Sequence, residues 1–428
     1  MTPQPTAPGP FLPAAVEIGR ALCREAIWDA AGQVCNWMGR APNEITELGG
    51  PVTPTSAAIG PDLYGGSLGV AWFLAQLGAA TGEPDFRRTA LAAADRSLRH
   101  IDQSPHAAGS PVSYYSGLVG TAFALDRVAA LTGEAALCEQ VDGLLARVAA
   151  GVTAPHVLDV IGGNAGAIPA LLALGRGGQR PDAREVAERL GEELLQTAIR
   201  QGPVWTWEAE KAAGPAIGTV PLTGFAHGNA GLGLALFELY AATGRRDYLD
   251  GGRGAFAYED SLFDAEAGNW PDLRDFGPAA TPTRQFTTAW CHGAPGIALA
   301  RMRAAILDPE SADAYQAAAR TALATTRAAL DNMLTLPRHD ATLCHGAGGL
   351  SEIVWTGGRW LGDDALAEAA RAAGRSLIGK YAASGSWPSG VATTGPNPSM
   401  MLGTAGIGMH FLRLHDPDTV PPLLIVAG

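Results

Sequence analysis

The sequence predicts an all-α protein, an α/α toroid in which seven helix hairpins form a double ring. Three observations predict this fold: a Gly-x-x-Gly motif recurs seven times, an apolar and alanine-rich stretch follows each motif, and amphipathic segments alternate with these stretches. The motifs begin at Gly66, Gly117, Gly163, Gly228, Gly293, Gly346 and Gly403, which are 46 to 65 residues apart. Because this period accommodates a helix pair and its two connections, we interpret the chain as seven repeats.

The stretches that follow the glycine motifs are apolar on all sides, as in 70–77 and 232–239. A helix that is apolar nearly all round is a buried one. Turn sequences that contain Gly82, Gly133 and Gly244 follow three of these stretches, and glycine there supplies the left-handed residue that ends a helix. The pattern therefore predicts seven buried inner helices.

The segments between the inner helices have an amphipathic pattern. In 85–101, Phe86, Ala90 and Leu98 share one helical face, while Arg87 and Asp95 lie elsewhere. An outer ring of such helices around the inner ring gives a toroid, and an open superhelical array fits the same pattern. Seven units without obvious capping repeats favour the closed ring. In a ring, the glycine loops meet at the N-terminal ends of the inner helices, so their side chains converge.

Composition excludes several classes of function. With 30 Lys and Arg against 42 Asp and Glu, the net charge is −12, which is unsuited to binding nucleic acid or an anionic membrane. No stretch approaches the roughly 18 apolar residues of a membrane span. Five cysteines, an odd number scattered along the chain, indicate a reducing compartment, so we expect a cytoplasmic protein.

The first 13 residues are rich in proline and contain no basic residue, so they lack the features of a signal peptide. We expect a disordered N-terminal tail over 1–13 and a single domain over 14–428.

Two loops carry a Cys–His pair directly before the glycine motif, Cys291–His292 and Cys344–His345. Thiolate and imidazole are preferred zinc ligands, and three protein ligands with an open fourth position are typical of a catalytic site. We predict a zinc site of Cys291, Cys344 and one histidine. Spacing alone does not separate the two histidines, and His345 is the better candidate. Buried cysteines with packing histidines are the alternative, which two matched pairs disfavour.

Two further loops carry polar groups that could act in catalysis. His227 directly precedes Gly228, and Asp159 lies four residues before Gly163. A histidine is suited to proton transfer near neutral pH. The aspartate either orients His227 or moves a proton, or else it caps the following helix.

Four of these segments, 159–166, 224–231, 289–297 and 343–346, resemble the signature blocks of LanC-like lanthionine cyclases. Segments 35–39 and 62–69 are more similar to the cyclase half of class II lanthionine synthetases than to class I cyclases. The resemblance runs from about residue 17 to about residue 414.

The resemblance implies a seven-repeat toroid, zinc held by Cys291, Cys344 and His345, a catalytic His227 and an acidic residue at Asp159. Some members place an arginine just upstream of the first zinc-binding cysteine. That position has no clear equivalent here, since Arg284 lies seven residues upstream.

The activity implied is addition of a cysteine thiol to dehydroalanine or dehydrobutyrine, which closes a (methyl)lanthionine thioether ring. Its substrate would be a dehydrated precursor peptide with a leader. Because the chain starts at Met1 without room for a dehydratase half, we expect either a separate dehydratase partner or a chain cut from a longer enzyme.

Three other functions stay open at this point. One is addition of glutathione to dehydrated residues, as eukaryotic LanC-like proteins are thought to do. Another is the chemistry of protein prenyltransferases, whose β-subunit is also a toroid with a zinc-bound thiolate; an aromatic content of only 7% disfavours it. The third is a zinc-stabilised, non-catalytic scaffold that binds peptides.

Overall fold

The computed structural model describes residues 9–41, 55–104, 110–153, 155–178, 180–208, 220–274, 284–389 and 397–427. Fourteen α-helices lie in these ranges. They are α1 (Phe11–Glu25), α2 (Ser67–Thr81), α3 (Pro84–Gln103), α4 (Leu118–Thr132), α5 (Ala136–Gly151), α6 (Asn164–Leu174), α7 (Pro181–Thr197), α8 (Asn229–Thr243), α9 (Arg246–Leu262), α10 (Ala294–Leu307), α11 (Ala312–Thr335), α12 (Ala347–Leu361), α13 (Asp364–Tyr381) and α14 (Thr404–His415).

The even-numbered helices are the buried inner helices that the sequence predicts. Each begins directly after the first glycine of a Gly-x-x-Gly motif, and α2, α4, α8 and α12 end at a left-handed glycine. The second glycine of the motif is required because the backbone of the preceding loop lies too close to it for any side chain to fit. A Cβ at Gly120 would lie 1.5 Å from the carbonyl oxygen of Tyr114, and one at Gly406 would lie 1.8 Å from that of Met400. The preceding loop therefore passes directly over the first turn of each inner helix.

The seven inner helices form a closed ring. Each packs against the next inner helix, and α14 packs against α2, which closes the circle. The odd-numbered helices surround this ring, and α1 serves as the outer partner of α14. Since the last repeat takes its outer helix from the start of the chain, the open superhelical alternative is excluded and the α/α toroid is confirmed.

The predicted tail over 1–13 is wrong for its last three residues. Helix α1 begins at Phe11, because Pro10 and Pro13 lie at its start, where missing N–H groups cost nothing. The ring of Phe11 is buried and lies 6.4 Å from that of Phe411 in α14. Residues 1–8 lie outside the described part of the chain, and the assignment of 14–428 to one domain stays a prediction.

Three short antiparallel hairpins supplement the helices within the described ranges. They pair β1 (Ile27–Trp28) with β2 (Cys35–Asn36), β3 (Met38–Ala41) with β4 (Thr55–Ala58), and β5 (Ile199–Gln201) with β6 (Val204–Thr206). Across the same ranges, none of the helices combines the length and the apolar character that crossing a bilayer requires.

Candidate functional site

Hydrogen bonds join the glycine loops into a continuous belt around one mouth of the ring. Six backbone bonds of 2.9 to 3.2 Å link neighbouring loops, and the Ser113 hydroxyl, which donates to the carbonyl of Ile161 at 2.6 Å, makes the seventh link. The backbone bonds run from the N–H groups of Tyr64, Val160, Ala226, Trp290, Cys344 and Met401 to the carbonyls of Tyr115, Ala226, Cys291, Cys344, Met401 and Tyr64. Because every accepting carbonyl belongs to the residue two positions before the first glycine of its loop, the belt brings the predicted site residues together.

Cys291 and Cys344 lie side by side in this belt. The thiol of Cys344 is hydrogen-bonded to Cys291, and this bond, helped by the charges of His345, His227 and Arg274, lowers the pKa of Cys291 to about 6. The same contact raises the pKa of Cys344. Two thiols from different repeats thus share a site in which one of them ionises easily.

Cys344 is buried and has a further partner in the first loop. Its Sγ accepts a hydrogen bond from the hydroxyl of Tyr64 at 3.0 Å. Tyr64 was not among the predicted site residues, although it lies two residues before Gly66, which is the repeat position that Cys291 and Cys344 occupy in their loops.

His345 is held by an aspartate from its own loop. Its Nδ1 lies 3.1 Å from Oδ2 of Asp340, and this hydrogen bond raises the pKa of His345. Oδ1 of Asp340 accepts from the N–H of Thr342 at 2.8 Å. A carboxylate on one imidazole nitrogen leaves the other nitrogen to bind a metal, which is the usual support of a metal-bound histidine.

His292 has a different environment. It is buried, and burial lowers its pKa to about 3. Its Nδ1 lies 3.9 Å from Oδ1 of Asp272, its Nε2 has no hydrogen-bond partner among the described residues, and its ring stacks on that of His227 at 5.5 Å. Since His345 is both supported and accessible, the geometry favours His345 over His292 as the third ligand.

His227 and Asp159 form a direct pair. Nδ1 of His227 lies 2.6 Å from Oδ2 of Asp159, whose side chain is only 2% exposed. Oδ1 of Asp159 accepts from the N–H of Gly162 at 2.6 Å, and α6 has no side-chain cap. The helix-capping interpretation is therefore wrong, and the carboxylate both orients His227 and closes a turn in its own loop.

Arg274 is a further charged residue of the site, and the repeat pattern of the sequence did not indicate it. Burial opposes ionisation of Asp272, yet hydrogen bonds from Arg274 and Thr287 outweigh it and lower the pKa of Asp272 to about 2. This ion pair, with bonds of 2.9 and 2.6 Å, holds the guanidinium charge near both cysteines. Arg284, considered from the sequence, is exposed and lies 3.6 Å from Asp264.

A second titratable cluster lies deep in the core. His410 bonds to Glu352 through Nδ1 and to the Ser351 hydroxyl through Nε2, both at 2.9 Å, and Arg413 also bonds to Glu352. These side chains are all buried, and the Ser351 hydroxyl donates to the carbonyl of Ala370. The chain of hydrogen bonds from Glu352 through His410 to Ser351 resembles a hydrolytic triad. Because all of these side chains are buried, we assign the cluster to packing between α12 and α14.

Among the described residues, no three His, Cys, Asp or Glu side chains already have an arrangement that could hold a metal ion. The donor chemistry nevertheless fits zinc. Cys291 and Cys344 supply two sulfur atoms in mutual contact, and His345 has the carboxylate support of a zinc-bound imidazole.

The family model described as lanthionine synthetase C-like protein matches residues 57–425. A solved structure of nisin cyclase is similar at a TM-score of 0.59 and 18% identity, over 84% of this chain and 89% of that one, a likeness that shows the fold. An α-1,6-mannanase from Salegentibacter sp. HEL1_6 aligns over 95% of this chain and 99% of its own at 12% identity, but its TM-score is only 0.43. A search of the curated proteins finds no match. Because the family match spans most of the ring and all seven glycine loops, the chain belongs to the lanthionine synthetase C-like family.

Proposed function

We propose that this protein is a zinc-dependent peptide cyclase, which adds the thiol of a peptide cysteine to a dehydroalanine or dehydrobutyrine of the same peptide. One observation supports the proposal above all: a single hydrogen-bonded belt brings two thiols and two His–Asp pairs together. The thiols are those of Cys291 and Cys344, and the pairs are His345 with Asp340 and His227 with Asp159. Family membership supports the same reaction class.

In this proposal Cys291, Cys344 and His345 hold the zinc, and Asp340 fixes the orientation of His345. When bound, zinc lowers the pKa of a substrate thiol at its open position, so that the sulfur is available as a thiolate. Tyr64, through its bond to Sγ of Cys344, keeps that ligand in place.

The chemistry left to the protein is proton transfer. The thiolate sulfur forms a bond to the β-carbon of the dehydrated residue, and the electron pair of the C=C bond moves to the neighbouring carbonyl to give an enolate. His227 protonates the α-carbon from Nε2, because Asp159 occupies Nδ1. One proton leaves the thiol and one is gained at carbon, so substrate and product have equal mass.

Arg274 offsets the negative charge of the enolate. Its ion pair with Asp272 fixes the guanidinium before substrate binds, and a preorganised charge needs no rearrangement during the reaction.

The reaction requires a dehydrated peptide, so we propose that a separate dehydratase supplies it and that the peptide carries a leader. All five cysteines are free thiols, which suits a reducing, cytoplasmic location.

The test is incubation of the zinc-loaded protein with a dehydrated, cysteine-containing peptide, followed by alkylation with N-ethylmaleimide and mass spectrometry. Cyclisation predicts loss of alkylatable thiols at unchanged peptide mass. His227→Asn should abolish this loss while retaining zinc, and His415→Asn, a change at an exposed histidine, should not.

Two other outcomes would contradict the proposal. With glutathione present, adducts on the dehydrated peptide without ring closure would indicate glutathione addition. Bound zinc with no turnover of any dehydrated peptide would indicate a scaffold.

A further inference from the structure

Two outer helices carry a buried glutamate that bonds to the loop before the preceding inner helix. Glu193 lies in α7, Glu259 lies in α9, and both side chains are buried. A buried carboxylate is costly unless hydrogen bonds satisfy it, so its partners show what it stabilises.

Glu259 joins the two ends of the fourth glycine loop, which carries His227. Its Oε1 accepts from the N–H of Gly224 at 3.0 Å and from the N–H of Ala230 at 2.8 Å. Ala230 lies in the first turn of α8, where N–H groups have no partner within the helix, and the residue that caps α8 supplies no side-chain acceptor. The glutamate therefore fixes the backbone on both sides of His227.

Glu193 holds the third glycine loop, which carries Asp159, in the same way. Its Oε1 accepts from the N–H of His156 at 2.8 Å, and its Oε2 lies 2.6 Å from Nδ1 of the same histidine. Oε2 also accepts from the side-chain amide of Asn164, the first residue of α6, at 2.9 Å. Because His156 and Asn164 flank segment 157–163, this loop is also held at both ends.

The two glutamates occupy matched positions in their repeats. Glu193 lies 30 residues after Gly163, and Glu259 lies 31 residues after Gly228. Among the described residues of the outer helices, no other carboxylate bonds to both ends of a glycine loop. The third and fourth loops are also the two whose side chains meet in a His–Asp pair, with 2.6 Å between Nδ1 and Oδ2. The repeats that supply this pair thus differ from the others in having a carboxylate support.

We propose that Glu193 and Glu259 are positioning residues for proton transfer, which hold the third and fourth loops so that the His–Asp pair forms. The proposal rests on the proposed function, since it explains how the proton donor is oriented. A hydrogen bond weakens steeply when its geometry is disturbed, so a small shift of either loop would separate the imidazole of His227 from the carboxylate of Asp159.

The first test measures cyclisation kinetics in Glu193→Met and Glu259→Met, whose unbranched side chains have a similar length but no carboxylate acceptor. Each variant should lower kcat about two- to tenfold, the loss that one hydrogen bond accounts for, with KM and zinc content unchanged. Glu259→Gln should restore the wild-type kcat, since its carbonyl oxygen can replace Oε1, and Oε2 has no hydrogen-bond partner among the described residues. Unchanged kcat in both Met variants, or a Gln variant as slow as Glu259→Met, would overturn the proposal.

A double-mutant cycle separates positioning from a general loss of structure. Because the glutamates act through the His–Asp pair, Glu259→Met added to Asp159→Asn should lower kcat no further. The matched control is Glu238→Gln, which replaces a buried carboxylate that pairs with Arg303 between α8 and α10, and it should keep the wild-type kcat. Additive losses in the cycle, or an equal loss in the control, would assign Glu259 to stability alone.

A second readout depends on neither zinc nor turnover. In isotope-labelled, metal-free protein, the NMR shifts of the two ring nitrogens of His227, assigned by their loss in His227→Asn, report which nitrogen carries the proton. In the neutral ring, the bond to Asp159 holds this proton on Nδ1. Each Met variant should move it towards Nε2, as Asp159→Asn does, and unchanged shifts in both Met variants would overturn the proposal.

The two readouts distinguish this proposal from the proposed function. If the wild type does not cyclise any dehydrated peptide but the Met variants still move the proton of His227, the proposed function is contradicted and the positioning role stands. If the wild type cyclises and the Met variants match it, the positioning role alone is contradicted. Where a Met variant does not fold, Glu→Asp at the same position replaces it, because a side chain shorter by one methylene cannot reach both ends of the loop, and the same results are expected.

Discussion

Replacement of Asp159 by Asn tests the His227–Asp159 pair most sharply. The carboxylate accepts from Nδ1 of His227 at 2.6 Å and is almost fully buried. An asparagine of the same size retains an oxygen for the N–H of Gly162, but its amide group removes the charge and presents a donor to the imidazole. The loop keeps its turn, but the amide donor favours the tautomer of His227 in which Nδ1 accepts a hydrogen bond instead of donating one.

The size of the expected rate loss follows from the loss of a hydrogen bond between His227 and a charged carboxylate. A hydrogen bond to a charged group contributes about 1.5–3 kcal/mol, and each 1.36 kcal/mol corresponds to a tenfold change in rate. If the bond acts mainly in the transition state, Asp159→Asn should lower the cyclisation rate about ten- to a hundredfold with KM little changed.

The assay follows the loss of free thiol from a dehydrated peptide over time, with zinc content measured on the same samples. Asp62 is the matched control, because its Oδ1 closes the same turn in the first loop, accepting from the N–H of Gly65 at 2.7 Å. Asp62→Asn should keep the wild-type rate. A wild-type rate in Asp159→Asn, or an equal loss in both variants, would refute the assigned role of the pair.

Three further predictions concern metal support and stability. Asp340→Asn should weaken zinc binding about 10- to 100-fold in competition with a chelator, because the supporting carboxylate is lost; unchanged affinity would contradict this. Burial raises the pKa of Glu259 to about 8, so the stability it contributes is fully present below about pH 4.5 and is lost as the pH rises to about 8. The free energy of unfolding of wild type minus that of Glu259→Gln should therefore fall by about 1.4 kcal/mol per pH unit between about pH 5 and pH 8, and parallel pH curves would count against it. Glu352→Gln leaves the buried His410 and Arg413 without their carboxylate, so we expect a loss of about 3–5 kcal/mol in urea unfolding, and a loss below 1 kcal/mol would contradict the buried pair.

The ring could be predicted from sequence because its repeats carry local signals. The glycine motifs mark where inner helices start, and their matched positions indicate which loop residues meet. The belt gives the physical reason, since the carbonyl that accepts each link belongs to the residue two positions before the first glycine of its loop. The positions of Cys291, Cys344 and His227 could therefore be inferred before any coordinates.

Other features of the fold and of the site had no local signal in the sequence. The pairing of α1 with α14 joins the two ends of the chain, and hydrophobic periodicity does not show which helices pack together. Arg274 lies in a connection outside the repeat pattern, where its ion pair with Asp272 is visible only in the folded chain. Asp340, six residues before Gly346, had a weak signal, because an aspartate also precedes the glycine motif in the third loop.

Zinc content per chain, measured by elemental analysis, tests the central claim most directly. The purified protein should contain one zinc per chain. Cys344→Ala should lose it, and Cys35→Ala, which alters a buried cysteine outside the belt, should retain it. Absence of zinc from well-folded protein even after zinc is added back, or zinc retained by Cys344→Ala, would contradict the account.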